Sequence, residues 1–254
     1  MKRAAALLVF LLGFASTAWA DGLGVVLVHG KQGGPDDRVI GTLAQNIKAA
    51  GFMLEEPSMC WARAVIYSAA FVDCLGAIDD AVGRLKSGGA TRIVVAGMSL
   101  GGAGVLGYGA RHEGLAGIVA IAPAPAPGVA NRPEIARGIE QAKALVAHGQ
   151  GDAFQTFTDV NEGTISVRAT PKIFLSFLAF DGDANIVANA QNLKAPVLWI
   201  SGTADPTQLP RAAGFDKAPP HALNRYVTVN SNHLGTPTAA SDAVIAWLKD
   251  VAKN

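Results

Sequence analysis

The chain has 254 residues, of which 50% are hydrophobic and 16% charged, and its 21 basic and 20 acidic side chains leave a formal net charge of +1. A near-neutral balance without basic runs argues against nucleic acid or an anionic membrane surface as the main partner. Two cysteines are too few for a zinc site built from thiolates or for a disulfide scaffold.

The chain opens with MKRAAALLVFLLGFASTAWA, in which Lys2 and Arg3 precede an apolar run from Ala4 to about Ala15 and small residues at Ala18 and Ala20. This pattern predicts a secretory signal peptide over 1–20, cleavage before Asp21, and a periplasmic or secreted product. The apolar run is shorter than the roughly 20 residues that a membrane-spanning helix needs. Losing Lys2 and Arg3 takes the formal charge from +1 to −1. Residues 21–254 then suit one soluble domain with room for a sizeable core. Its oligomeric state is not legible.

Short β-rich runs then alternate with helical spacings. Residues 24–29 (GVVLVH) predict a first strand, 36–50 a helix with apolar residues at 39, 43 and 47, and 53–55 a weaker second strand. A loop holding Cys60 and Trp61 leads to a helix expected over 68–86. The third strand is expected over 92–96, a small-residue helix over 100–110, and the fourth strand over 115–121. Strands over 196–201 and 225–229 and a closing helix over 237–251 complete the pattern. Such alternation predicts an α/β fold, a mostly parallel six-stranded sheet with helices on both faces.

Residues 124–193 break the alternation, with helices expected over 133–148, 171–180 and 184–193, the first two opening on a proline. So long an excursion reads as a lid inserted before the fifth strand. Its aromatic residues Phe154, Phe157, Phe174, Phe177 and Phe180 either line a pocket or pack the lid onto the body. Cys60 and Cys74 leave two alternatives open as well. They form a local disulfide, or Cys74 is a buried thiol on the stripe Phe71, Leu75, Ile78, Val82 and Leu85.

Gly97, Met98, Ser99, Leu100 and Gly101 match GxSxG between an expected strand and an expected helix. A serine on that sharp turn is raised above the sheet, and the following amide, that of Leu100, is aimed at an oxyanion. The hydroxyl needs a base, and topology chooses among the five histidines. Loops that follow parallel strands share one sheet edge, where ligands bind. His233 follows the last strand and shares that edge with Ser99. His221 precedes the same strand, His112 and His148 end helices, and His29 lies on the first strand's loop. The acid that orients the base is expected at Asp205, after the fifth strand, rather than at Asp152, Asp181 or Asp183 of the lid.

The segments VVLVHGK, VVAGMSLGG, VLWISGTADP and SNHLG occur in the order found in the α/β-hydrolase family, which residues 21–254 resemble over nearly their whole length. The resemblance implies a triad of Ser99, Asp205 and His233 and a second oxyanion donor at the backbone N–H of Lys31. It also implies a sheet reduced to six strands, because the chain starts at the strand usually counted third. The HGGG segment of many lipases and esterases is missing, which argues against bulky-lipid hydrolysis. Among family members the chain resembles small exported bacterial hydrolases.

The expected chemistry is hydrolysis of a small carboxylic ester through an acyl-enzyme, with no metal and no cofactor. Met59, Trp61 and Met98 are the candidate pocket residues, the first two forming one wall. A peptidase or amidase and a thioesterase use the same residues, and a non-catalytic binding protein would need none of them.

Overall fold

A computed structural model describes residues 22–125, 127–161 and 163–254, so the signal peptide expected over 1–20 lies outside the described residues. Six strands form one wholly parallel sheet: β1 (Leu23–Val28), β2 (Met53–Glu55), β3 (Arg92–Met98), β4 (Gly117–Ile121), β7 (Val197–Gly202) and β8 (Arg225–Val229), ordered β2-β1-β3-β4-β7-β8. Parallel strands covered on both faces need apolar residues at every position, and all residues of β1, β4 and β7 are buried.

The pleat divides these residues between two layers. Val26, Val28, Val95, Ile118, Ala120, Val197 and Trp199 pack on one side with helices α3 (Gly76–Ser87) and α4 (Leu100–Arg111). Leu23, Val25, Leu27, Val94, Ala96, Val119, Leu198 and Ile200 point to the other side. Helix α1 (Arg38–Ala49) and the closing pair α8 (Thr236–Ala239) and α9 (Ser241–Ala252) lie on that second side, where Ile40, Leu43, Ile47, Val244, Trp247, Leu248 and Val251 of α1 and α9 cover the sheet. Each large side chain buried this way contributes about 1.5–3 kcal/mol.

The helix expected over 68–86 is two helices, α2 (Phe71–Cys74) and α3, joined at Leu75. Gly76, a weak helix former, stands at the junction. Cys60 and Cys74 are disulfide-bonded, with Cα atoms 5.5 Å apart, which ties the loop after β2 to α2.

The insertion between β4 and β7 holds the expected helices as α5 (Pro133–Ala147), α6 (Pro171–Leu178) and α7 (Ile186–Gln191). It also holds an antiparallel hairpin, β5 (Gln155–Val160) with β6 (Thr164–Ala169), where no strand was expected. The two-residue alternation of QTFTDV and TISVRA around Asn161 and Gly163 is its signature. Phe157 on β5 stacks on Phe174 of α6 at 4.3 Å, which fastens the hairpin to the helices.

Chain direction across the sheet reverses at β1. The crossover through α1 carries the chain to β2 on one side, and the next carries it back to β3 on the other. The crevice at the carboxyl ends of β1 and β3 is therefore the switch point where ligands bind in open parallel sheets.

Candidate active site

Strand β3 ends at Met98 and helix α4 begins at Leu100, so the whole turn is Ser99, with φ 56° and ψ −120°. A side-chain-bearing residue in this conformation is strained and persists only where its surroundings fix it. The Ser99 N–H donates to the Ile121 carbonyl at 2.9 Å, and the Ser99 carbonyl accepts from Ala124 N at 3.0 Å. The glycines have a steric reason. A Cβ at Gly97 would collide with the Gly101 carbonyl, and one at Gly101 with the carbonyls of Val28 and His29. Without side chains at these two positions, the first turn of α4 can lie against the end of β1.

The Ser99 hydroxyl is 2.9 Å from His233 Nε2, and His233 Nδ1 is 2.7 Å from Asp205 Oδ2. The three residues come from the end of β3 and the loops after β7 and β8, a separation of 134 residues between serine and histidine. The Asp205 side chain is fully buried, so it acts as a hydrogen-bond acceptor that fixes the imidazole with Nδ1 protonated and Nε2 facing the hydroxyl. Asp205 is in turn held by Thr207, whose N–H and hydroxyl reach Asp205 Oδ1 at 2.8 and 2.7 Å. The same hydroxyl lies 3.1 Å from His233 Nδ1. Sequence reasoning missed Thr207. A hydroxyl two residues after the aspartate, in a turn after a strand, is the signal that would have found it.

Leu100 and Lys31 both border the space in front of Ser99. Leu100 is the first residue of α4, where an N–H has no acceptor within the helix. Neither the Leu100 nor the Lys31 N–H donates to a protein acceptor among the described residues. The loop carrying Lys31 is held from several directions. His29 donates from Nδ1 to the Gly30 carbonyl at 2.8 Å and accepts at Nε2 from Met59 N at 3.1 Å. Burial pushes the His29 pKa below the ordinary 6.5, which keeps the ring in this neutral form.

The cavity beside Ser99 and His233 measures about 380 Å³ and is lined by loops of the body and by the insertion. Met98, Val39, Pro206 and Leu234 belong to the body, and Pro125, Val129, Arg132, Val160 and Asn161 to the insertion. Of the three pocket residues expected from sequence, only Met98 is there. Met59 and Trp61 are 1% and 0% exposed and do not line the cavity. Trp61 instead packs on α4, where its Cη2 lies 2.9 Å from where a Cβ at Gly104 would be, and its Nε1–H donates to the His29 carbonyl at 3.0 Å. The loop after β2 thus supports the loop carrying Lys31 from behind rather than forming a wall. Phe157 and Phe174 stack within the insertion, Phe177 packs it onto the body by stacking on Tyr67 at 4.3 Å, Phe154 and Phe180 are exposed, and none lines this cavity. Among the described residues no cluster of histidine, cysteine and acidic side chains could hold a metal ion, and no helix is long and apolar enough to cross a membrane.

This chain has the α/β-hydrolase fold. A monoacylglycerol lipase from Paleococcus ferrophilus is similar with a TM-score of 0.66 and 21% identity, over 89% of this chain and 94% of that one. A metagenome-derived lipolytic enzyme gives 0.63 and 18%, covering 91% and 94% of the respective chains. Est1E from Butyrivibrio proteoclasticus, in a structure with ferulic acid bound, gives 0.62 and 16%, covering 91% and 90%. No protein-family model matches the sequence, and a search of curated proteins finds no match.

Proposed function

We propose that this protein is a serine hydrolase that cleaves small carboxylic esters. The observation that carries the reading is the unbroken line of hydrogen bonds from Ser99 Oγ through His233 to buried Asp205, opening on a cavity of about 380 Å³. In this mechanism His233 Nε2 takes the Ser99 proton as the hydroxyl attacks the carbonyl carbon. The N–H groups of Leu100 and Lys31 receive the negative charge that develops on the carbonyl oxygen, and Asp205 stabilises the imidazolium. The imidazolium then gives its proton to the departing alcohol, leaving an acyl-Ser99 ester. A water deprotonated by His233 attacks that ester and releases the acid.

Ester rather than amide chemistry is supported by proteins sharing the fold, which include an esterase domain from Rhodothermus marinus and a monoacylglycerol lipase. The cavity is within the size range of small-ligand sites. A short acyl chain therefore suits it, with the insertion serving as a lid. Export is part of the same proposal. The first 20 residues support it, and so does the Cys60–Cys74 disulfide, a bond that persists in oxidising compartments.

The test is labelling by a fluorophosphonate, followed by kcat/KM across p-nitrophenyl esters from acetate to palmitate. Stoichiometric labelling at Ser99 and a maximum among the short acyl chains are expected. Absence of labelling would remove the hydrolase reading, and a steady rise to the longest chain would replace the enclosed site with an open groove. Turnover of amides or thioesters without turnover of esters would reassign the substrate class.

A further inference from the structure

The insertion sends one carboxylate into the body. Asp159, on hairpin strand β5, is fully buried, and its Oδ2 accepts from Lys31 Nζ and from the Tyr67 hydroxyl, each at 2.6 Å. Its other oxygen accepts from Val160 N at 2.7 Å, and Lys31 Nζ also donates to the Val160 carbonyl at 2.9 Å. A lysine 9% exposed and an aspartate 0% exposed are a costly pair to bury. The pair joins the hairpin to the residue whose backbone N–H is the second oxyanion donor of the proposed reaction. The next residue is tied too, since Asn161 Nδ2 donates to Gln32 Oε1 at 2.9 Å and Gln32 N to the Trp61 carbonyl at 2.9 Å. Gln32 has φ 59°, a strained conformation for a residue with a side chain, which these two bonds help to hold.

We propose that Asp159 is a positioning residue for acyl transfer: by anchoring the Lys31 side chain it fixes the Lys31 peptide N–H at the place where the oxyanion forms, so that the insertion completes the active site from outside the sheet. This rests on the serine hydrolase reading above. Asp159 touches no reacting atom and acts only through Lys31. The oxyanion exists only in the transition state and the tetrahedral intermediate, so a loosened Lys31 should weaken transition-state binding and leave substrate binding nearly intact.

The experiment compares wild type with Asp159→Asn on p-nitrophenyl acetate, each normalised to the sites titrated to completion by a fluorophosphonate. The inhibition constant of a trifluoromethyl ketone, which forms an oxyanion on Ser99, is measured alongside. The expected result is a kcat per active site lowered about 10- to 100-fold, KM changed less than about 3-fold, and ketone affinity lowered by about the same factor as kcat/KM. Tyr67→Phe, which removes one hydrogen bond to Asp159 and keeps the ring packed, should show the same pattern with a kcat loss of about 2- to 5-fold, and it decides the matter if Asp159→Asn does not fold. An unchanged kcat per titrated site, or a loss carried by KM with ketone affinity intact, would overturn the proposal while leaving the hydrolase standing. A wild type that neither labels nor turns over any ester overturns both.

Discussion

Strands β4 and β5 are five and six residues long and are built for opposite surroundings. β4 (GIVAI) is buried at every position in the middle of the sheet, whereas β5 (QTFTDV) alternates, with Phe157 and Asp159 buried and their neighbours partly exposed. In the first case the strand is an apolar filler whose task is to hold the neighbouring elbow in place, and Ile121 at its end receives the Ser99 N–H. In the second, a strand that borders solvent still commits a carboxylate to the interior, where an unpaired charge would be costly. The sheet holds Ser99, His233 and Asp205 rigidly at its edge, and the insertion supplies one electrostatic tie to the loop that carries Lys31.

Ser99→Ala tests the body's half of this division and should have the largest effect. Turnover of a short ester should fall by about 10⁴-fold or more with the denaturation midpoint essentially kept, as measured by initial rates and thermal melting. His233→Ala should fall as far. Asp205→Asn should retain more rate, because the acid orients and stabilises the base without taking the proton.

Two acids of the insertion separate buried from exposed electrostatics. Asp159→Ala strands the Lys31 ammonium in a nearly closed site and should cost about 3 kcal/mol or more of unfolding free energy. Asp152→Ala removes the exposed partner of Lys172 and should cost less than about 0.5 kcal/mol. Urea unfolding of the two variants reads both, and equal losses would erase the distinction between the insertion's buried and exposed acids.

Thr207→Val keeps the shape of the loop after β7 and removes the hydroxyl that steadies Asp205. A fall of about 10-fold in kcat/KM is expected, the size of one hydrogen bond to a charged group. No fall would mean that burial and the Thr207 N–H alone hold the carboxylate.

The smallest effect concerns His29, the buried imidazole behind the Lys31 loop. Its folded pKa lies below the ordinary 6.5, so above that pH the ring is neutral in both states and adds no pH dependence. As pH falls below about 6.5 the unfolded chain takes up a proton that the folded chain refuses, and stability drops until the folded pKa is reached. Urea midpoints from pH 8 to pH 5.5 should therefore fall more steeply in wild type than in His29→Asn.

That Ser99, His233 and Asp205 would meet was legible because a parallel sheet places the loops after its strands on one edge, so position relative to a strand chooses among five histidines without coordinates. The apolar runs of β1, β3, β4 and β7 were legible for the same reason that they are buried: covered parallel strands need uninterrupted hydrophobicity. The hairpin β5–β6 was missed because a short alternating run between helices carries a weak local signal, and the helix break at Gly76 because the stripe of apolar residues continues across it.

By itself the sequence determined the order of elements, the glycine frame around Ser99 and the edge on which the polar residues meet, all of which follow from local spacing and strand direction. Only the tertiary structure decided which groups touch across the insertion. Lys31 and Asp159 are 128 residues apart and meet at 2.6 Å, Met59 and Trp61 turn to the core instead of the cavity, and Cys60 meets Cys74. Contacts of this kind depend on how the hairpin and the loop after β2 dock on the sheet, and that docking is set by packing summed over many side chains, which no local pattern encodes.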